Sequence, residues 1–206
     1  KIAKSKGIIT IIDGAHAPGH IDLDISQIGC DYYTGACHKW MCAPKGSSFL
    51  YVAKNFQKGM SPQIMSWGEE GDDPGPSQFL MDFQWQGTKD MSAFLAIPSA
   101  IRFLQKNKWK EKSVISKNLI SHLADRLKDI LGTESLFKNK NWIGQMISHP
   151  LPIDSPVNLK DILWNDFEIE VPIFEWKKRN IIRVSAHFYN DQKDMDHLIK
   201  ALKEIF

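Results

Sequence analysis

The chain has 206 residues, 43% of them hydrophobic and 24% charged, with 26 basic side chains against 24 acidic ones. That length buries a substantial core and holds one or two domains, and the near-balanced charge leaves no electrostatic footprint for nucleic acid. No apolar run approaches the roughly 18 residues of a membrane-spanning helix, and the apolar segment after Lys6 is too short for a signal peptide, so a cytoplasmic location is expected.

The apolar run 8–12 (IITII) stops at Asp13-Gly14 and predicts a short buried strand. Residues 31–35 (DYYTG) predict a second strand, which leads into Ala36-Cys37-His38-Lys39. After the Pro44-Lys45-Gly46 turn, residues 47–53 (SSFLYVA) predict a third. Periodicity disappears over 54–82, where Gly59, Pro62, Gly68, Gly71, Pro74 and Pro76 mark a long irregular loop of the kind that is usually functional or mobile. Phe94, Leu95, Ile97, Ile101 and Leu104 then recur at helical spacing, with Pro98 near a first turn. A longer helix is predicted over 109–131, with Val114, Ile115, Leu119, Leu123, Leu127, Ile130 and Leu131 as its apolar stripe and Gly132 as its stop. The locally basic stretch 105–112 is a solvated helix face or junction.

Strand signals return at 142–151, 168–174 and 181–186, with a brief helix at 158–164. A last amphipathic helix opens at Asp191, with Asp191 or Asn190 as its N-cap. This order predicts an α/β domain over 1–107, with a mostly parallel sheet and helices, followed by a small α+β domain over 108–206. Cys30, Cys37 and Cys42 are odd in number and lack a C-x-x-C pair, which argues against a disulfide framework or a zinc site; they read as small buried thiols.

The first strand delivers Asp13 at its carboxyl end and the second delivers His38-Lys39. Ligands of open α/β sheets bind just outside those ends. A ligand needing both an acid and an amine is pyridoxal phosphate (PLP), which forms a Schiff base with a lysine and draws electrons better when a carboxylate faces its ring nitrogen. Because a free lysine is protonated at neutral pH, burial beside the cationic ring system is expected to favour the neutral amine of Lys39. An alternative reading makes Asp13, His16, His20 and Asp22 the metal cluster of a hydrolase; Pro18-Gly19 breaks the helix that the spacing of the two histidines would need, so no metal is expected.

D-G-A-H-A-P-G at 13–19, H-K-W at 38–40 and P-K-G at 44–46 are followed by W-Q-G-T-K-D at 85–90 and I-R-V-S-A-H-F-Y-N at 182–190. The whole pattern resembles the class V, fold-type I aminotransferase family, in its isopenicillin-N-epimerase-like branch. The blocks keep the family's order and span nearly the whole chain. The resemblance implies a C-terminal portion of a PLP-dependent transferase, comprising the end of its large domain and a small C-terminal domain. It further implies an amino-acid substrate, a homodimer and a missing N-terminal segment.

By the same resemblance Lys39 is the Schiff-base lysine and moves protons at the substrate α-carbon. Asp13 faces the ring nitrogen, His16 contacts the phenolic oxygen and His38 lies against the phosphate. Gly87-Thr88 reaches the phosphate of the neighbouring subunit, and Arg183 binds the substrate carboxylate. Ala36 stands where many relatives carry serine, with Thr34 as the candidate substitute donor. No cysteine follows Cys42, so a desulfurase nucleophile is not expected. Epimerisation, transamination and elimination remain open. So does a non-catalytic relative that keeps the fold as an interaction module, although Asp13, Lys39 and Arg183 together argue against decay. The 206 residues alone are expected to be a poor enzyme, because in the family the phosphate cup and the ring-stacking side chain come mainly from the preceding segment.

Overall fold

Helix α1 (Ile2–Ser5) and strand β1 (Ile11–Asp13) open the chain in the computed structural model, which describes residues 1–69 and 75–206. Helix α2 (Ile25–Ile28) is capped by Asp24, whose carboxylate accepts from the amides of Ser26 and Gln27, and Gly29 ends it in the left-handed region. Strands β2 (Tyr32–Ala36) and β3 (Ser48–Val52) follow, then helices α3 (Lys54–Gln57), α4 (Gln78–Gln84), α5 (Ser92–Leu95) and α6 (Ile97–Lys106). The predicted loop 54–82 therefore contains α3 and most of α4, while its Gly71 and Pro74 lie outside the described residues. Pro98 sits in the first turn of α6, where a missing N–H costs no helical hydrogen bond.

The sheet order is β1-β2-β3. Strand β1 runs parallel to β2, with Ile11 opposite Tyr32 and Asp13 opposite Thr34, whereas β2 and β3 are antiparallel, with Ala36 opposite Ser48. Of these two ladders only one is parallel. The connection 37–47 is too short for the crossover that a second parallel pair would need.

The predicted strand at 8–12 forms only from Ile11. Thr10 instead makes a side-chain clamp: its amide and hydroxyl donate to Asp31 Oδ2 at 2.8 and 3.0 Å, and the Asp31 amide donates back to its Oγ1 at 3.1 Å. The strand is not buried either. Ile11 is 77% exposed, and Ile8 and Ile9 are exposed as well, because among the described residues β1 is an edge strand with a neighbour on one side only.

Residues Lys1–Gln105 form one compact unit and Lys106–Phe206 another. The second unit opens with α7 (Trp109–Leu131), ended by Gly132 at φ +62, and continues through a 3-10 turn at Lys140–Trp142 to β4 (Met146–Pro150). Helix α8 (Leu159–Phe167), β5 (Ile173–Trp176), β6 (Arg179–Ser185) and α9 (Gln192–Ile205) complete it. Its sheet is antiparallel throughout, in the order β4-β6-β5.

Two strand signals begin later than predicted. The 3-10 turn takes up Trp142 and β4 begins at Met146; α8 runs past its predicted end to Phe167, Glu168 leaves it at φ +55, and β5 begins at Ile173. Helix α9 starts as predicted: Asp191 accepts from the amides of Lys193 and Asp194, and Asp194 accepts from the Asp191 amide, which closes a capping box.

The core of this unit joins Ile147, Ile182 and Val184 of the sheet to Leu123 and Leu127 of α7, Leu163 of α8 and Leu198 and Leu202 of α9. Burying each leucine contributes about 1.5–3 kcal/mol. Val114 and Ile115 are exposed, contrary to their place in the predicted stripe. The buried line of α7 runs through Ser116, Ile120, Leu123, Leu127 and Leu131, and projected backwards it misses both residues.

Candidate active site

Asp13 is the last residue of β1, and its Oδ1 accepts the Ala15 amide at 3.0 Å. The Gly14 amide donates to the Thr34 carbonyl at 2.9 Å and carries the β1–β2 contact past the strand's end. Gly14 is required by packing: a Cβ there would lie 1.9 Å from the hydroxyl of Tyr33. The Tyr33 ring is buried and lies parallel to Phe49, with centroids 6.2 Å apart; burial, joined by the charges of Cys30 and Asp13, pushes its phenol above the usual range. Gly19 holds φ +78, and a Cβ on it would stand 2.8 Å from the backbone of Trp40 and Met41. The turn after β1 is thus seated directly against the loop after β2.

That loop carries His38 and Lys39 and is tied at its base. The Cys37 amide donates to the Ser47 carbonyl and the Ala43 amide to the Cys37 carbonyl, both at 3.0 Å, and the Cys42 amide donates to the Lys39 carbonyl at 3.1 Å. The Trp40 side chain points back to the first turn: its Nε1–H donates to His16 Nδ1 at 3.2 Å, and its rings stack on His20 with centroids 4.2 Å apart and planes 11° from parallel. His38 donates through Nδ1 to the Ser47 carbonyl at 3.0 Å, since a carbonyl only accepts, and this turns the Nε2 edge of the ring away from that bond.

Asp13, His16, His38 and Lys39 therefore lie on two adjoining connections at the carboxyl ends of two paired parallel strands. Lys39 itself is exposed, so the burial expected to favour its neutral amine is not provided by this chain. The buried reading of the cysteines holds for Cys30 and Cys37, and burial raises the Cys37 thiol; Cys42 is exposed at φ +59, in a left-handed turn of the Lys39 loop. Thr34, the candidate substitute for a serine at Ala36, spends its hydroxyl on the Phe49 carbonyl at 3.3 Å.

Gly87 and Thr88 lie between α4 and α5. Gly87 adopts φ +87, a conformation that favours glycine, and Thr88 is exposed. Arg183 belongs to the second unit, on the face of β6 opposite the core residues Ile182 and Val184, and its Nε is buried with no hydrogen-bond partner among the described residues. Ser148 is its cross-strand neighbour. The flanking contacts Leu151 N to Asn180 O and Ala186 N to Gln145 O make this a non-hydrogen-bonded pair, the kind with the closest side chains. The alternative metal cluster is not assembled, since no group of three His, Cys, Asp or Glu residues able to hold an ion occurs among the described residues. No helix among them is long and apolar enough to cross a membrane.

Trp40 and Ser148 escape sequence reasoning as individual residues. H-K-W marks Trp40 only as part of a block. Nothing in the sequence spacing shows that its indole reaches His16, 24 positions earlier.

The fold is shared with the fold-type I enzymes. One solved likeness is a C-DES variant with glycine covalently linked to its PLP cofactor (TM-score 0.75, 20% identity, 97% of this chain and 52% of that one). The chain belongs to the aminotransferase class-V family, whose model matches residues 1–198. It is 34% identical to isopenicillin N epimerase from Amycolatopsis lactamdurans over 98% of this chain and 54% of that protein. It is 27% identical to a probable chloroplastic L-cysteine desulfhydrase from Arabidopsis thaliana over 98% and 46%. The chain thus spans about half the length of the curated relatives it matches.

Proposed function

We propose that this chain carries the lysine-bearing part of a PLP-dependent enzyme that acts at the α-carbon of an amino acid, with epimerisation as the reaction. The observation that carries the reading is the pairing of β1 with β2, which delivers Asp13 and the Lys39 loop at the same end of two hydrogen-bonded parallel strands. Membership of class V supports the cofactor, and the 34% identity to an epimerase supports the choice of reaction. The donor set also fits the cofactor's chemistry: a carboxylate spends one oxygen on a backbone amide, a primary amine is exposed, and Gly19 lets the turn after β1 pack against the backbone that follows Lys39.

When bound, PLP supplies an aldehyde for reversible linkage to amines and a ring that takes up electron density from the α-carbon. The Asp13 carboxylate holds a proton at the ring nitrogen. Lys39 Nζ provides the amine and moves the α-proton, His38 meets the phosphate through its Nε2 edge, and Arg183 binds the substrate carboxylate through a charge-assisted fork. Gly87 and Thr88 serve the neighbouring subunit's phosphate in a homodimer. The remaining phosphate contacts and the ring-stacking group come from the part of the protein outside this chain.

Borohydride reduction of the full-length protein with PLP, followed by peptide mapping, is expected to leave the pyridoxyl group on Lys39. Incubation with a substrate amino acid in D2O is expected to exchange the α-proton and invert the configuration. Label on Lys45, or retention of the α-proton, would overturn the reading.

A further inference from the structure

We infer that the turn joining β5 to β6 is a docking point for an anionic membrane surface. Residues 176–179 (WKKR) build it. Trp176 faces Arg179 across the two strands, and Lys177 and Lys178 form the connection between them. Both lysines have positive φ, +49 and +61, the signature of a type I′ hairpin turn, whose central positions favour Asn-Gly because other side chains are strained there. Stability alone gives no reason for two lysines at these positions. Held side by side, and joined by Arg179, they place three positive charges on one projection.

Among the described residues nothing pairs with these charges. Residues 176–179 are all exposed, and none of the three cations makes an ion pair. Lys177 Nζ lies 4.6 Å from the centre of the Trp176 ring, so the indole and the charge share one surface. Glu175 belongs to the opposite face of β5 by strand alternation.

The Leu151 amide donates to the Asn180 carbonyl at 2.8 Å, so the loop after β4 starts at the same end of the sheet as this turn. Ile153 and Val157 on that loop are fully exposed, and Trp176 is 47% exposed. Cations beside an indole and projecting aliphatic side chains match the layers of a membrane interface, with charge at the headgroups and apolar groups just beneath. Charge alone would fit any polyanion; the aliphatic tips favour one that has an apolar layer under its charges. Surface docking of this kind needs no spanning helix. None of these residues serves the proposed cofactor or substrate, so docking and catalysis stand or fall separately.

The full-length protein should sediment with vesicles of equal parts phosphatidylcholine and phosphatidylserine, release them as salt rises, and ignore vesicles of phosphatidylcholine alone. The double variant Lys177→Asn, Lys178→Gly restores the residues the turn prefers. It should therefore resist urea at least as well as the unaltered protein, yet bind the anionic vesicles roughly 30-fold more weakly, at about fivefold per cation. Ile153→Ser should weaken binding without a change in stability, and Asp154→Asn, which removes the negative charge beside Ile153, should strengthen it. Absence of binding to the anionic vesicles, equal binding to both kinds, or unchanged affinity in the double variant would overturn the inference. So would retention of poly-glutamate or duplex DNA in place of the vesicles, which would assign the tip to an acidic protein or to nucleic acid.

Discussion

Acidification should weaken the second unit through His149. This side chain is completely buried on β4. Thr133 Oγ1 lies 2.7 Å from the Pro150 carbonyl and 3.0 Å from His149 Nε2. The carbonyl takes the hydroxyl proton, so Nε2 must be the donor, and Nδ1 is left as a lone pair with no partner among the described residues. A proton added there would create a buried, unpaired cation.

Burial accordingly holds the imidazole below its ordinary range, against the smaller upward effects of Thr133 and the Glu134 charge. The unfolded chain takes up this proton as pH falls through about 6.5, while the folded chain resists it. The contribution is therefore fully present above that pH and is lost below it, by up to about 1.4 kcal/mol per pH unit. From pH 7.5 to 5.0 the loss amounts to about 2 kcal/mol if His149 stays neutral when folded.

Urea unfolding followed at the methyl resonances of Leu127 and Leu163 reports this unit alone. His149→Leu should flatten the dependence by that amount, with the other histidines unchanged. Equal slopes in the two proteins would refute the reasoning. So would an imidazole spectrum of the unaltered protein showing His149 protonated already at pH 6, and that measurement does not require the variant to fold.

Arg183→Ala should raise the apparent KM for the amino acid while leaving the cofactor spectrum in place. A charge-assisted fork contributes about 2–3 kcal/mol, which corresponds to a rise of roughly 30- to 150-fold; an unchanged KM would remove Arg183 from the site. Leu163→Ala, at a position with no exposed surface in the core of the second unit, should cost about 3–4 kcal/mol in chemical denaturation, since the sheet and helices α7 and α9 of that core cannot close the cavity fully.

Local signals in the sequence were sufficient for the long elements. The spacing of Leu123, Leu127 and Leu131, the stop at Gly132 and the cap at Asp191 predict α7 and the start of α9, because helix spacing and capping depend on residues within one or two turns. Asp13 and Lys39 were also legible, as residues that follow strand-like runs and belong to blocks in a family's order. The edges of β1, β4 and β5 were not. A side-chain clamp from Asp31 displaces the ladder at Thr10, a 3-10 turn takes up Trp142, and the chain leaves α8 through Glu168 at φ +55 before β5 begins at Ile173.

Burial was decided by neighbours rather than by hydrophobicity: Ile11 lies on an open edge, and Val114 falls off the line along which α7 meets the sheet. The sequence alone thus determined which side chains could supply an acid, an amine and imidazoles. Only the tertiary structure decided that the Trp40 indole donates to His16 and that Lys39 is exposed in this chain, because hydrogen-bond partners and burial arise from contacts between residues far apart in sequence.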